Sequence, residues 1–286
     1  MAEQMRRVYH RTIVTLTEQL KRGRFTPSGY EIGFSGADKL EALQFTLNDE
    51  EKMYLRGRID RLDTYETEDK VYVKIIDYKT GKTNFQMLNL YHGLQLQLVV
   101  YLNAAMEMTK KKNPGKIVAP AGIFYYHVED PFVESEGRLS EEEIYENILE
   151  ELKLDGMVNS EEEVYRAMDE QMGDASHVIP VKVKKDGTLY ATSKVLSQQA
   201  FENMEAFVGQ KIKRLGNQMM AGEQGANPYR QGKQEACTYC SYRSVCGFDE
   251  KIQGYEYRNL QRSAKTEDVL QKISEDLINK GKGETL

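Results

Sequence analysis

Two short phrases constrain this chain more than anything else in it: GRIDRLD at residues 57–63 and IIDYKTG at residues 75–81. Each sits in a run that reads as a β-strand, 53–63 and 70–79, and the polar link TYETED between them is short enough for an antiparallel pair. Side chains two apart on a strand share a face. Val71, Val73, Ile75, Asp77 and Lys79 therefore form one row, apolar until it ends in a carboxylate and an ammonium. Tyr72, Lys74, Ile76 and Tyr78 point the other way. On the preceding strand Asp60 lies where a short hairpin sets it beside Asp77.

D-x-K alone would be read as a surface ion pair. A second carboxylate on the neighbouring strand and a tight Lys79-Thr80-Gly81 turn change the reading. Two carboxylates bind a hard divalent cation through oxygen. Such a cation activates water and offsets charge on a phosphoryl group, and a lysine orients that water or stabilises the charged transition state. The helix expected next, 88–108, adds Gln97 and Tyr101, four apart and on one face, while Gln95 points elsewhere.

The rest of the chain reads as one large domain or two small ones in 286 residues. Residues 4–22 have helical spacing (Val8, Thr12, Leu16, Leu20), and FTPSG at 25–29 reads as a turn before extended stretches at 30–34 and 43–47. Residues 117–128 form an apolar, aromatic strand. Two acidic helices follow within 140–172, each opened by SEEE, with Ser140/Glu143 and Ser160/Glu163 fitting the capping box. A strand at 178–184 turns at Lys185-Asp186-Gly187, and a long helix covers 193–221. A polar tail, 251–286, holds one helix near 267–279.

The formal charge is −6, but residues 134–174 carry 15 acidic and 3 basic side chains, so the remainder is net positive. The acidity therefore leaves room for a local phosphate-binding surface. Basic clusters stand at Arg6, Arg7 and Arg11, at Lys21, Arg22 and Arg24, and at Lys110–Lys112. No apolar run approaches a membrane span, and the opening MAEQMRRVYH lacks the apolar core of a secretory signal. The expectation is a cytoplasmic chain with no membrane partner. Cys237, Cys240 and Cys246 form C-x2-C-x5-C within ten residues, an odd number that argues for a reducing compartment and against a disulfide framework. Clustered thiols invite a soft metal or an iron–sulfur centre. None of His10, His92, His127 and His177 has zinc-finger spacing to them.

In this order and spacing, G-x-x-D-R-x-D, D-Y-K-T-G and Q-x3-Y resemble the RecB-like branch of the PD-(D/E)XK nucleases. The resemblance implies an α/β (α+β) fold with a mixed central sheet of about five strands flanked by helices, and DNA hydrolysis with Mg2+ or Mn2+. It makes Asp60 and Asp77 metal ligands, Lys79 the catalytic lysine, the Tyr78 carbonyl a further ligand, Gln97 and Tyr101 the helix motif, and Glu31 an accessory carboxylate. NPY followed by C-x2-C-x5-C resembles the C-terminal end of the B subunits of AddAB-type ATP-dependent helicase–nucleases. The likeness runs over essentially the whole chain and includes VIPVKVKKDG and the closing CGFD. It implies an exonuclease domain used in double-strand break processing and recombinational repair. Its partners would be DNA, an A subunit and the upstream region of its own chain. It also implies a [4Fe–4S] cluster held by the three cysteines and one distant cysteine.

The sequence departs from that pattern in two places. There is no fourth cysteine, and the upstream G-x3-H motif is not met, since His10 follows Arg6. The expectation is a fragment that begins after both. On this reading the domain covers 1–250, with the core at about 25–130, an acidic helical insertion at 134–174 set to one side and a cysteine loop at 227–248, before the tail. A weak or inactive nuclease-like module that binds DNA or docks a subunit is the alternative, and a zinc-ribbon-like interaction domain the third reading.

Overall fold

A computed structural model describes residues 2–38, 40–47, 51–81, 83–133 and 137–281. The first residues of the expected insertion (134–136) and the end of the tail (282–286) lie outside the described residues.

The alternating runs build one mixed sheet. In chain order its strands are β1 (Thr26–Phe34), β4 (Gly57–Glu66), β5 (Lys70–Lys79), β6 (Ile117–His127), β7 (Asp155–Asn159) and β8 (Val195–Leu196), and they lie side by side in that same order. Two short strands, β2 (Gln44–Thr46) and β3 (Lys52–Tyr54), pair apart from it. The hairpin expected from GRIDRLD and IIDYKTG is present as antiparallel β4–β5, with rungs from Glu66–Val71 to Arg61–Ile76. The strands run further into the link than its polarity indicated, leaving residues 67–69 as the turn. β5 and β6 are parallel, so the chain must cross over between them. It does so through helices α2 (Met87–His92) and α3 (Gln97–Lys112).

Each face of the sheet is covered, as period-two burial demands. On one face Val73, Ile75, Ile123 and Met157 pack under α3, α6 (Gln198–Met220) and α8 (Thr266–Gly281). On the other, Tyr72, Ile76, Phe124 and Tyr126 pack against α5 (Glu162–Met168), residues 178–183 and Leu16 of α1 (Ala2–Lys21). No helix among the described residues is long and apolar enough to cross a membrane.

Several elements differ from the sequence reading. FTPSG is not a turn: Thr26 to Gly29 belong to β1, with a bulge between Pro27 and Gly29. The helix expected over 88–108 is two helices. Gly93 adopts φ 86°, its N–H reaches Leu90 O at 2.9 Å, and the N–H of Leu94 reaches Asn89 O at 2.8 Å. This is a glycine-dependent helix stop. The acidic helices α4 (Glu141–Glu151) and α5 are separated by β7, which pairs with β6. Residues 155–159 thus join the central sheet, and the segment is not wholly lateral. The Ser140 capping box forms, but the Ser160 one does not. Ser160 N–H instead donates to Leu196 O at 2.9 Å, and Asn159 Oδ1 accepts from Glu161 N at 2.9 Å. Residues 178–184 contribute only isolated bridges. Their alternating apolar residues still reach the core, because Ser176 Oγ accepts from the amides of Val178 (3.0 Å) and Ile179 (3.1 Å) and shapes the segment as a loop.

Beneath the hairpin lies a buried charge triad. Asp63 is fully buried and receives Arg61 Nε at 2.7 Å and Nη2 at 2.8 Å, while Lys74 Nζ stands 3.0 Å from its Oδ2. Burial holds the Lys74 ammonium below its ordinary range, Asp63 pulling against that and Arg61 adding to it. Such groups tolerate burial only while mutually paired. Asp63→Ala would strand two cations, so the expected outcome is a loss of about 3–5 kcal/mol, read from urea unfolding midpoints. A loss below about 1 kcal/mol would show that the triad does not hold the hairpin.

Candidate functional site

The register of the hairpin decides where its carboxylates go. The last hydrogen-bonded rung is Arg61–Ile76, and the next positions along are Asp60 and Asp77. The ladder does not close there through two backbone bonds. Instead Asp60 Oδ2 accepts the N–H of Tyr78 at 2.9 Å. Both carboxylates thus lie at one strand end, on the face where Val73 and Ile75 enter the core. Tyr78 turns its ring to the opposite face, 5.9 Å from that of Tyr126.

Asp77 is buried, at 2 % exposure. Burial raises its protonation range above the ordinary carboxylate value; the ammonium of Lys79 opposes the shift and the nearby Asp60 reinforces it. Lys79 Nζ forms an ion pair with Asp77 Oδ2. The ammonium also lies 5.2 Å from the centre of the Tyr125 ring, a favourable cation–π placement. Tyr125 stands opposite Asp77 in the parallel β5–β6 register, and its hydroxyl is pushed up to about 12 by burial and then by Asp77 and Asp155.

Helix α3 completes the arrangement. Lys79 Nζ donates to Gln97 Oε1 at 3.1 Å, and Gln97 Nε2 donates to Tyr101 Oη at 2.8 Å. The Tyr101 ring meets Phe34 of β1 edge-on at 5.8 Å. Gln95 faces away: its amide holds the loop before α2, accepting from Gln86 N and donating to Asn84 O, both at 2.9 Å. The structure therefore brings Asp60, Asp77, Lys79, Gln97 and Tyr101 together.

Glu31 is placed differently. It lies on β1 between residues paired with Arg61 and Ile59, but its carboxylate is engaged by Arg58 Nε at 2.7 Å. Its φ of 50° is a left-handed conformation unusual for this residue type. Among the described residues, no three His, Cys, Asp or Glu side chains converge as a metal-ligand group. The strand end offers two carboxylates, not three. Their chemistry still suits a divalent cation such as Mg2+ or Mn2+: hard oxygen donors, one of them buried and incompletely neutralised.

Cys237 is half-buried, Cys240 and Cys246 are exposed, and all three are free thiols. Their loop lies between β10 (Gln234–Glu235) and β11 (Arg258–Asn259), which form a small sheet with β9 (Tyr229–Gln231), and it includes α7 (Arg243–Cys246). Arg230 ties this region, pairing with Glu235 at 2.7 Å and Glu250 at 2.6 Å and lying 3.9 Å from the Tyr257 ring centre. Three thiols are one fewer than the four cysteine ligands that hold a four-iron cluster.

Sequence reasoning did not find Tyr125, the Asp155–Lys194 pair at 2.5 Å or the Arg61–Asp63–Lys74 triad. A tyrosine within an aromatic strand carries no signal until the β5–β6 register is known. The triad was readable as alternation, but its members are two strands' worth of ordinary charge until they are paired.

Comparison with known proteins places the chain in a family. Residues 1–247 match the model of the PD-(D/E)XK nuclease superfamily. The B subunit of the ATP-dependent helicase/deoxyribonuclease of Lachnoclostridium phytofermentans is 42 % identical over 276 residues, covering 93 % of this chain and 23 % of that protein. The proteins of the same name from a Thermoanaerobacter species and from Alkaliphilus oremlandii are 35 % and 34 % identical, covering 95 % and 98 % of this chain and 24 % of each relative. The chain thus spans about a quarter of the length of these curated relatives.

The Asp77 environment sets a testable pH dependence. A carboxyl whose folded-state pKa is raised contributes stability that is present below the unfolded value and lost as pH rises through the folded one. Asp77→Asn should therefore be more stable than the parent at neutral pH, by about 1–3 °C in Tm. That gain should vanish below the ordinary carboxylate range. Thermal melts across pH check it; an equal gain at all pH values would place its origin elsewhere.

Proposed function

Because the chain belongs to the PD-(D/E)XK nuclease superfamily, we propose that it is the DNA-hydrolysing domain of a helicase–nuclease B subunit. On this reading it is a metal-dependent exonuclease acting in double-strand break processing and recombinational repair in the cytoplasm, alongside an A subunit. The observation that carries the reading is the strand end where Asp60, Asp77 and Lys79 meet Gln97.

Asp60 and Asp77, with the Tyr78 carbonyl between them, would hold Mg2+ or Mn2+. When bound, such a cation supplies Lewis acidity and offsets negative charge on a phosphodiester. The residues of the chain do the rest. Lys79, held by Gln97 and by the Tyr125 face, presents an ammonium to the attacking water and to the phosphoryl oxygens. Gln97 keeps its amide oxygen on Lys79 because its NH2 is engaged by Tyr101. That chain fixes the direction from which Lys79 approaches. Glu31 becomes an accessory ligand only on release from Arg58. Cys237, Cys240 and Cys246 would supply three ligands to a [4Fe–4S] cluster, with the fourth coming from outside this chain.

The test is cleavage of end-labelled single- and double-stranded linear DNA with Mg2+ or Mn2+. Asp77→Ala and Lys79→Ala should each lower the rate at least about a hundredfold, the scale of losing one electrostatic contributor to a transition state, while the far-UV spectrum stays unchanged. Full activity in Asp77→Ala would sink the assignment. The two-carboxylate site favours one alternative, a catalytically weak domain that binds DNA or docks a partner chain. DNA binding by the parent chain without metal-dependent cleavage would select it.

A further inference from the structure

A second cluster of cationic side chains lines a cavity, and none of the residues proposed for catalysis is among its lining residues. Between α2, α6, β11 and α8 is a cavity of about 230 Å3 lined in part by Tyr91, His92, Lys211, Arg214, Arg258 and Asp276. Three of these side chains are cationic. The one acid among the lining residues, Asp276, accepts the Tyr91 hydroxyl at 3.2 Å. Arg214 and Arg258 form no ion pair among the described residues. This separates them from the basic clusters of the first helix, where Arg7 and Arg11 converge on Asp130 at 3.5 and 3.4 Å and the nearby Arg22 meets Asp169 at 3.0 Å.

His92 Nε2 is buried and has no hydrogen-bond partner. A buried ring nitrogen without a partner is costly unless something else satisfies it. The tight turn at Gly93 helps to shape the site: a Cβ there would stand 3.2 Å from Lys211 Cδ. The lysine stem lies across Tyr91 and Phe207, its ammonium 5.7 and 5.1 Å from the two ring centres. Guanidinium groups present forked donors that match phosphate oxygens, and a cavity of this size with two such groups in its lining suits one phosphate group with part of its ester.

We propose that this cavity is a phosphate-recognition site, separate from the proposed catalytic centre, in which Arg214, Arg258 and the free nitrogen of His92 hold one phosphate group, either a backbone phosphodiester of a DNA strand or a free phosphate. Lys211 adds positive potential. The groups facing His92 are Lys211, Arg258 and Lys272. Burial first, and then these cations, hold the imidazole below its ordinary range, so a phosphate anion arriving there would move it upward.

The experiment uses the full chain in EDTA, which separates binding from cleavage. The His92 ring signal, assigned by its loss in His92→Gln, is followed by NMR as inorganic phosphate or a single-stranded oligodeoxynucleotide is added. Oligonucleotide affinity is also measured against salt for the parent, for Arg214→Gln/Arg258→Gln and for Lys79→Ala. A DNA-backbone site predicts a His92 shift with the oligonucleotide. It also predicts a fall of about 1.4 in the salt slope in the double variant, from two lost contacts at about 0.7 each. A free-phosphate site predicts a His92 shift with phosphate that the double variant abolishes, and an unchanged oligonucleotide slope. Either result supports the site. No His92 shift with either probe, or shifts that persist in a double variant with unaltered melting, overturns it. Because cleavage is not read, failure here leaves the nuclease reading standing, and loss of cleavage elsewhere leaves this site standing.

Discussion

The antiparallel register of β4 and β5 is the constraint on which the rest of the site depends. Strand side chains alternate faces, so a slip of one residue would exchange every inward for every outward group. In the observed register Asp60 and Asp77 share one face at the strand end. Arg61, Asp63 and Lys74 are buried together, both cations sharing the one carboxylate. A shifted pairing would separate Lys74 from Asp63 and leave charge buried without a partner. The triad takes no part in the proposed chemistry, yet it penalises the slip that would pull the carboxylates apart. Here a buried ion network acts through specificity of pairing more than through net stabilisation.

The helix motif reaches the same point by a different route. β5 ends at Lys79, and the parallel partner β6 begins only at Ile117, so the chain between them must return over one face of the sheet. The stop at Gly93 divides that return into two helices and makes Gln97 the first residue of α3. A single uninterrupted helix from residue 88 would carry Gln97 along a different axis. The left-handed turn that one glycine permits therefore sets whether the amide of Gln97 meets the ammonium of Lys79.

Much of this was legible in the residues. The alternation of 70–79 fixed which side chains travel with Asp77, and the four-residue spacing of Gln97 and Tyr101 put both on one helix face. The central strands were legible because their apolar rows have a single period. Legibility failed where one residue answers to two neighbours. Ser160 looks like a helix cap in isolation, but β8 takes its amide into the sheet, and Asn159 Oδ1 takes the amide of Glu161, the N-cap residue of α5. Residues 178–184 alternate like a strand, yet their partners are a loop and a core, not a ladder. β7 was hidden between two strongly acidic helix starts, its five residues too few to set a period. Gly156 is the one local sign of its packing: a Cβ there would stand 1.9 Å from Ile123 O, so only glycine permits the observed approach to β6.

Charge links the strand end and the cavity between α6 and α8. The acidic excess of residues 134–174 is partly consumed by cations from the segment that follows the first helix, with Asp169 and Glu170 receiving Arg22 and Arg24. Those pairings lie beside α5, on the face of the sheet opposite the strand end. On the α6 and α8 side, Arg214 and Arg258 lack such partners among the described residues. At the strand end the imbalance is reversed: two carboxylates face one ammonium, and burial makes the Asp77 charge expensive. A domain selected only for stability would have neutralised both regions. On the two proposals above, a divalent cation would complete the first region and a phosphate the second.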